Sequence, residues 1–539
     1  MVLVRSVMKN SEPLRLFSQK WQAARPGNLI LTIAVLVILL LAGRVTASSR
    51  PSYSATSIIK DENAKTGSTA WRITNPATQN EIEGFASLTS VDRGGEISLF
   101  VSSSDPTYTI EVFRMGWYDG MGARSMTSPV TRTGIKQSIP LPDPETGLIE
   151  CQWDDPYILH IPRSPDPTDW ASGIYLVLLT AEPSGKQNYI IFVVRDDVRR
   201  SDLLFQSSVA TYQAYNDWGG RSLYSNPRAY MVSFNRPYSQ GNGAGDFIAG
   251  LYEFLMLRFL EREGYDVTYS TDVDTHASGS LLRLHKAFLT VGHDEYWSWE
   301  MRDNVEAARD AGLSLGFFGS NISYWQVRFE SSSITNAPSR TIVCYKSATL
   351  DPLAIDPDPE KRRRTTTVFR GPPVYRSESK MTGMMYTEQC CPEGDIVVQD
   401  ASNWVFANTG LQQGNHLIGL LGPEVDAYSG DAPLGTHIIA HSPYSTNSKQ
   451  GYADMTVYTT PFVGSVVVAT GSMDWNYGLD DISGIYGVPT RSNPATIQAT
   501  RNILNKLIAA GARISVDPDP GSCLFGRDDC LHFPRRVTP

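Results

Sequence analysis

The stretch AFLTVGHDEYWS, residues 287–298, contains a strand-like run and the start of a helix, and it decides the fold class of most of the chain. Its first residues, AFLTV, form an apolar run of strand length. A helical pattern follows from Ser298, a favourable N-cap residue, to Ala311, and Gly312 stands at the C-terminal cap position. The next apolar run, residues 313–318, predicts another strand. Strand, helix and strand in this order are typical of a parallel sheet with helices on both faces.

The same alternation continues on both sides of this stretch. Further segments carry strand or helix signals, with strands at 203–206, 265–269 and 465–469 and helices at 247–263 and 494–510. We therefore expect residues 199–515 to form one α/β domain with a doubly wound parallel sheet. Residues 330–460 show no clear periodicity, and we expect them to be long irregular insertions within this domain.

The region before this domain has a different rhythm. Short runs of alternating apolar and polar residues recur between turn signals, at residues 96–101, 108–113, 173–178 and 189–194. This pattern is typical of an antiparallel β-sandwich, and we expect residues 80–198 to form an immunoglobulin-like sandwich domain. Residues 48–79 are rich in Ser, Thr and Asn and are expected to be a linker, and residues 516–539 a cysteine-containing tail.

The N-terminus carries a membrane-targeting signal. Basic residues are spread over residues 1–27, which we expect on the cytoplasmic side, and an apolar run over residues 29–42 follows. Residues 28–47 therefore predict either a transmembrane anchor or a signal peptide that is cleaved after the small residues at 45–47. Both alternatives place the rest of the chain outside the cytoplasm, as a membrane-anchored or a secreted protein.

The six cysteines are compatible with an oxidising compartment. Cys523 and Cys530 lie close together in the tail and predict a disulfide bond. Cys344, Cys390 and Cys391 are candidates for further disulfide bonds, and the alternative is that they are unpaired buried thiols. The cysteine and histidine spacings do not match those of a structural zinc site.

Composition and missing motifs exclude several classes of function. The net charge of −9 and the pI of about 5.5 argue against a nucleic-acid binder, which needs a basic face for phosphates. The sequence contains no GxSxG, HExxH, P-loop or GxGxxG motif. We therefore do not expect a serine hydrolase, a zincin or a nucleotide-dependent enzyme.

Polar side chains follow two strands of the predicted parallel sheet, where ligands collect in doubly wound domains. His293, Glu295 and Tyr296 come directly after one strand, and Tyr324 follows the next. A bound trivalent cation can hold a tyrosine as phenolate although the phenol has an ordinary pKa of about 10. Two tyrosinates and a carboxylate would match ferric iron, and such an ion can polarise an amide carbonyl and activate water. The alternative is that these tyrosines pack at the rim of the sheet.

Five segments together point to a known family. They are FRMGWYDGMGAR (113–124), ATYQAYN with WGG (210–220), SFNRP (233–237), GHDEYWS (292–298), and Gly471-Ser472 with Trp475 and Gly478-Leu479. As a set they resemble the large-subunit family of N,N-dimethylformamidase, an iron-dependent amide hydrolase. The resemblance runs over residues 90–330 and 415–510, and it implies a glutamine-amidotransferase-like parallel sheet.

The resemblance also implies a mononuclear ferric ion, one per chain, held by two tyrosines and a glutamate. Matched motif by motif, the metal ligands would be Tyr296, Tyr324 and Glu424. Tyr345 is the alternative to Tyr324, and Glu295 is the alternative to Glu424.

His293 and Glu295 are the candidate catalytic residues. His293 would orient a ligand or carry a proton, and the alternative is a histidine that hydrogen-bonds nearby backbone. Two features differ from the family, because this chain begins with a membrane segment and shows no sign of a small partner subunit. A homo-oligomer is compatible with the sequence.

Two functional hypotheses remain. The first is an exported or membrane-anchored hydrolase that cleaves amide-type C–N bonds in a small-molecule amide substrate. The alternative is a non-catalytic extracellular binding or surface protein that keeps the fold. Convergence of Tyr296, Tyr324 and a carboxylate within about 5 Å would favour the hydrolase, since metal–oxygen bonds are roughly 2 Å long.

Overall fold

The computed structural model describes residues 55–390, 394–446, 449–482 and 491–512. The predicted membrane segment at 28–47 and the predicted disulfide bond between Cys523 and Cys530 lie outside these residues. Across the described ranges, no helix is both long enough and apolar enough to cross a membrane.

The helices and strands of the described residues are numbered in chain order. The helices are α1 (Ala55–Asn63), α2 (Val209–Tyr215), α3 (Asp246–Ala249), α4 (Tyr252–Glu263), α5 (Asp272–Ala277), α6 (Gly279–Leu282), α7 (Trp299–Asp310), α8 (Pro359–Arg362), α9 (Ser379–Thr382) and α10 (Pro494–Ala510). The first strands are β1 (Ile82–Ala86), β2 (Ser90–Asp92), β3 (Glu96–Ser103), β4 (Thr107–Met115), β5 (Ala123–Ser125), β6 (Val130–Thr133), β7 (Tyr157–His160), β8 (Gly173–Glu182) and β9 (Gln187–Arg195). The later strands are β10 (Leu203–Ser207), β11 (Met231–Ser233), β12 (Val267–Thr271), β13 (Ala287–His293), β14 (Tyr296–Ser298), β15 (Ser314–Ser320), β16 (Trp325–Glu330), β17 (Thr341–Val343), β18 (Met384–Gln389), β19 (Gly394–Val397), β20 (His416–Leu421), β21 (Glu424–Tyr428), β22 (His437–Ser445), β23 (Gln450–Thr459) and β24 (Val466–Ala469).

The largest sheet has seven strands in the order β12-β10-β13-β15-β24-β23-β22. The first five strands in this order are parallel neighbours, and β23 and β22 continue the sheet in antiparallel pairing. All residues of β10, β12, β15 and β24 are buried, and this explains the apolar runs within β10, β15 and β24. The strands predicted for this domain are confirmed.

Helices pack on both faces of this sheet. Leu289 of β13 belongs to the same apolar cluster as Phe254 of α4 and Leu507 of α10. Its neighbour Phe288 belongs to a separate cluster with Val305 of α7. Successive side chains of a strand point to opposite faces, so the sheet lies between these two helical layers.

Two predictions for this region need correction. Residues 330–460 are not an irregular insertion, because they contain strands β17 to β23, of which β22 and β23 extend the main sheet. The predicted helix over residues 247–263 is two helices, α3 and α4. The break follows from Leu251, whose φ of +60° is incompatible with a continuous right-handed helix.

The sandwich region packs two sheets face to face. One contains β1, β3 and β7, and the other contains β2, β9, β8, β4 and β5, with β6 also paired to β4. Alternate residues such as Ile97, Leu99, Ile110 and Val177 form its apolar core. The pairing is not wholly antiparallel as predicted, because β2 lies parallel to β9.

The segment expected to be a linker is partly helical and packed. It contains α1, in which Ile59 is fully buried, and Trp71 is also fully buried against Phe254 of α4. Cys344, a candidate for a disulfide bond, is a free and buried thiol, as is Cys151.

Candidate active site

The candidate active site lies at the carboxyl edge of the seven-stranded sheet. After β10 the chain forms β12 on one side, and it then returns to form β13 on the other side of β10. The order of the strands therefore reverses between β10 and β13, and ligands of open α/β sheets bind at such a reversal. β13 ends at His293, and after two intervening residues the chain enters β14 at Tyr296.

His293 lies between two carboxylates, of which Glu295 is buried and Glu424 is partly buried. Its Nε2 atom is 3.1 Å from Oε2 of Glu424 and 3.3 Å from Oε2 of Glu295. Burial alone would lower the pKa of His293, but Glu424 and Glu295 outweigh it and raise this pKa to about 9. Burial raises the pKa of Glu295, whereas His293 overcomes the effect of burial and lowers the pKa of Glu424. The geometry therefore favours a protonated imidazole that both carboxylates share.

Three phenols form a hydrogen-bonded group beside Glu295. The hydroxyl of Tyr224 is 2.5 Å from that of Tyr296 and 2.9 Å from that of Tyr215. Tyr215 donates to Oε2 of Glu295 at 2.9 Å, and Tyr224 lies 3.3 Å from both oxygens of this carboxylate. Burial, with the charge of Glu295 second, raises the pKa of Tyr296 well above its usual value. All three phenols are therefore neutral unless a cation is bound.

Different parts of the chain hold these phenols in place. Tyr215 is the last residue of α2, and Tyr296 is the first residue of β14. Tyr224 lies in a turn in which Ser222 Oγ accepts the backbone N–H groups of Tyr224 and Ser225. The rings of Tyr215 and Tyr224 stack at 4.3 Å, so the turn is fixed against the helix.

Glu424 reaches the site from β21, the strand after the region expected to be irregular. Asn321, directly after β15, donates from Nδ2 to Oε2 of Glu424 at 2.7 Å. The backbone of Asn321 has a φ of +57° and donates to Oδ1 of Asp426 at 2.8 Å. Ser320 Oγ also donates to the carbonyl oxygen of Glu424 at 2.6 Å. These contacts tie β21 to the end of β15 and thereby bring Glu424 to His293.

Tyr324 lies beside this group. Its ring packs edge-on against Trp325 and Tyr386, and the guanidinium of Arg370 lies 5.1 Å from its centroid. Burial raises the pKa of Tyr324, Arg370 opposes this, and Glu295 and Glu424 raise it further. Within the described chain, no hydrogen bond joins Tyr324 to Tyr296, Glu295 or Glu424.

Tyr345, the alternative to Tyr324, belongs to a different cluster, because its ring stacks on Tyr230 at 5.1 Å. The charges that act on its hydroxyl come from Asp351, Arg328 and Glu330, and none of these belongs to the group around His293. Glu295, the alternative to Glu424, hydrogen-bonds the phenols directly. The structure therefore brings both glutamates, His293 and Tyr296 together, with Tyr324 at the edge.

The structure adds three residues to the site that the sequence did not single out individually: Tyr215, Tyr224 and Lys346. The Nζ atom of Lys346 lies 3.3 Å from the ring centroid of Tyr224, and 5.1 and 5.0 Å from those of Tyr296 and Trp325. Tyr215 is part of the ATYQAYN segment that follows β10, which was a usable signal, whereas Tyr224 lies eight residues beyond the end of this segment. Lys346 carried no such signal, since it follows the short strand β17 within an apparently irregular region.

The donor atoms that converge here are carboxylate and phenol oxygens with one imidazole. Oxygen-rich sets of this kind suit a hard cation. Among the described residues, no group of three or more His, Cys, Asp or Glu side chains is placed to hold a metal ion. A metal at this site would therefore need phenol ligands, and Tyr296 and Tyr324 are the phenols expected from the sequence.

One of three comparisons with known proteins, a match to a family model, agrees with the motifs. A search of curated proteins found no match. Among solved structures, an alkylpurine DNA glycosylase from Pseudomonas fluorescens, bound to DNA with an abasic site analogue, aligns at 15% identity over 30% of this chain and 44% of that chain. The TM-score of this alignment is 0.14, too low to indicate a shared fold. A family model described as N,N-dimethylformamidase beta subunit-like, C-terminal, matches residues 109–490, well over half of the chain. The chain belongs to the N,N-dimethylformamidase beta subunit-like family.

Proposed function

We propose that this protein is a hydrolase of amide-type C–N bonds in small molecules, and that the group around His293 is its active site. The observation that carries the proposal is the convergence of His293, Glu295, Glu424 and the buried phenol of Tyr296 where the strand order reverses. Membership of the dimethylformamidase-like family supports hydrolysis as the reaction class.

We further propose that the site binds a ferric ion through Tyr296, Tyr324 and Glu424, with Glu295 as the alternative carboxylate. The donor set fits such an ion because it offers hard oxygen atoms and two carboxylates close to one another. A bound ferric ion would supply Lewis-acid chemistry, which polarises an amide carbonyl and makes water a better nucleophile.

Three side chains of the site would take part in proton transfer and in positioning of water and substrate. His293 is placed to hold a proton at Nε2 and to deliver it to the amine that leaves. Glu295, which accepts hydrogen bonds from Tyr215 and Tyr224, would orient the nucleophilic water. Lys346 would donate a hydrogen bond to the carbonyl oxygen of the substrate, because its ammonium contacts aromatic faces and, in the described chain, makes no ion pair.

We also propose a location and a fold for this protein. The N-terminal apolar run supports a body outside the cytoplasm, either anchored in the membrane or secreted after cleavage. The parallel strands with helices on both faces support a doubly wound, glutamine-amidotransferase-like domain, and the two packed sheets support an immunoglobulin-like sandwich. A homo-oligomer is compatible with this location and this fold.

Iron content and visible absorption of the purified full-length chain test the proposal. We expect about one iron per chain and a tyrosinate-to-iron charge-transfer band. Tyr296→Phe should lose the band and most of the iron, whereas Tyr458→Phe should keep both. Tyr458 is a matched control, because it is buried and its hydroxyl donates to the carbonyl of Met381.

A colourless chain that binds no iron after reconstitution would contradict the ferric site. It would leave the alternative, a binding or surface protein that keeps the fold. A chain that binds iron equally well with and without the Tyr296 hydroxyl would show that the ligands lie elsewhere.

A further inference from the structure

A narrow cavity lies between the sandwich and the α/β region, and its lining residues do not include His293, Glu295, Tyr296 or Glu424. Its volume is about 20 Å³. Its walls are mostly apolar and include Phe85 and Phe234. The polar exceptions are chiefly Arg236, Arg340 and Tyr238. Both arginines are almost completely buried, at 1% and 3% exposure.

Arg236 is bound only to neutral groups. Its Nη1 atom donates to the carbonyl oxygens of Trp218 and Arg221 at 3.1 and 2.8 Å, and Nη2 donates to that of Asn216 at 2.8 Å. Its Nε–H is buried without a hydrogen-bond partner. A guanidinium has five N–H donors, so Arg236 has donors left over.

Arg340 has the same property. Its Nε donates to Oδ1 of Asn235 and its Nη2 to the carbonyl oxygen of Ala86, both at 2.8 Å, and its guanidinium lies over the ring of Phe234. In the part of the chain that the structure describes, neither arginine forms an ion pair with a carboxylate. Glu150 is the acid that acts on Arg340 electrostatically, and Glu150 is itself hydrogen-bonded to Asn235 and Ser333.

Two buried cations without a counter-ion are costly. Burying an unpaired charge is so unfavourable that proteins normally pair or neutralise it. Burial lowers the pKa of both Arg236 and Arg340 to about 10, so both remain charged at neutral pH. Tyr238, on which both arginines act electrostatically, adds a hydroxyl to the same wall.

We propose that this cavity binds a small inorganic anion of the size of chloride, held by Arg236, Arg340 and the hydroxyl of Tyr238. The limited free space excludes a larger organic acid, because it accommodates only one or two water-sized particles. The anion would lie between Ala86 of the sandwich and the loop of Asn235, and would therefore stabilise the contact between the two regions. The proposal is independent of the hydrolase activity.

The test is thermal unfolding of the full-length chain with increasing sodium chloride, at an ionic strength held constant with sodium gluconate. A ligand that binds the folded state raises the unfolding midpoint, here by about 1–2 °C for each tenfold increase above its dissociation constant. Crystals grown with bromide should show an anomalous peak in the cavity. Arg340→Met should remove the chloride effect and the peak.

Tyr238→Phe is a milder variant, and it tests the anion site if Arg340→Met does not fold. It should shift the chloride effect to higher concentration, whereas Tyr175→Phe, which removes another buried hydroxyl, should not. Midpoints that are equal in chloride and gluconate, together with no bromide in the cavity, would overturn the proposal and leave water as the occupant.

Discussion

Lys346 has an unusual backbone conformation and an ammonium group that lies among aromatic rings. Its backbone φ is +53°, a left-handed conformation that costs a lysine energy. Burial lowers the pKa of its ammonium to about 8, against the opposing effect of Glu295. An ammonium that contacts the faces of three aromatic rings is oriented without being neutralised. This is the property required of a group that must bind a substrate oxygen.

His276 should make the folded state sensitive to acid. Burial and then Arg364 lower the pKa of His276 to about 4, and its Nδ1 lies 2.8 Å from Ser298 Oγ. Between pH 6.5 and 4, His276 therefore binds a proton more readily in the unfolded chain than in the folded protein. The stability that the neutral imidazole of His276 provides is fully present above pH 6.5. It is lost progressively as the pH falls to about 4.

We expect this loss to be on the order of 2–3 kcal/mol, since one pKa unit corresponds to about 1.4 kcal/mol. Chemical unfolding at several pH values measures it. His276→Asn should reduce the slope in this window, and His160→Asn, which changes an exposed histidine, should not. An unchanged slope in His276→Asn would show that other groups cause the acid sensitivity. Glu300, 3.7 Å from His276, is the first to examine.

The last helix of the described residues, α10, is an element whose start is encoded by local sequence. Asn493 accepts the backbone N–H groups of Ala495 and Thr496 at its Oδ1, and Pro494 occupies the first helical position. The buried face, with Ile503 and Leu507, packs on the main sheet. Local capping and the apolar face therefore agree, which explains why this helix was predicted correctly.

Asn493→Ala should destabilise the protein by about 1 kcal/mol, because two N–H groups at the start of α10 lose their acceptor. Asn493→Asp keeps the acceptor and adds a negative charge near the helix N-terminus, so it should cost less than about 0.5 kcal/mol. Thermal unfolding compares the two variants. Equal midpoints for Asn493→Ala and the parent would mean that the packing of α10 alone holds its start.

The whole molecule is joined by a buried ionic network between the sandwich and the α/β region. Arg114 of β4 binds Glu261 of α4 with two hydrogen bonds, at 2.9 and 2.7 Å, and both side chains are fully buried. Tyr269 and Asn63 also donate to Glu261, at 3.0 and 2.8 Å. Arg114, within the FRMGWY segment, therefore joins the two regions.

Glu261→Gln should destabilise the fold by roughly 3–5 kcal/mol, because it leaves the charge of Arg114 buried and unpaired. Replacing both partners, with Arg114→Met and Glu261→Leu, should recover part of this loss. Asp155→Asn is the matched control, since the Arg132–Asp155 pair is exposed and should contribute less than about 1 kcal/mol. The free energy of unfolding of each variant, measured by chemical denaturation, tests this prediction. A small effect of Glu261→Gln would show that apolar contacts hold the two regions together instead.

The sequence by itself determined the features that depend on near neighbours along the chain. Apolar runs located the parallel strands, and capping residues located α7 and α10, because periodicity and hydrogen bonds to nearby backbone set these elements. His293, Glu295 and Tyr296 could be named together for the same reason, since they are almost consecutive.

Only the tertiary structure decided which distant residues meet at that point. The hydroxyls of Tyr224 and Tyr296 touch although 72 positions separate them, and Asn321 binds Glu424 across 103 positions. It also decided that residues 330–460 extend the sheet and that α1 is packed. Such contacts arise from the way strands and loops pack against one another, and no local pattern encodes the partner of a side chain that far along the chain.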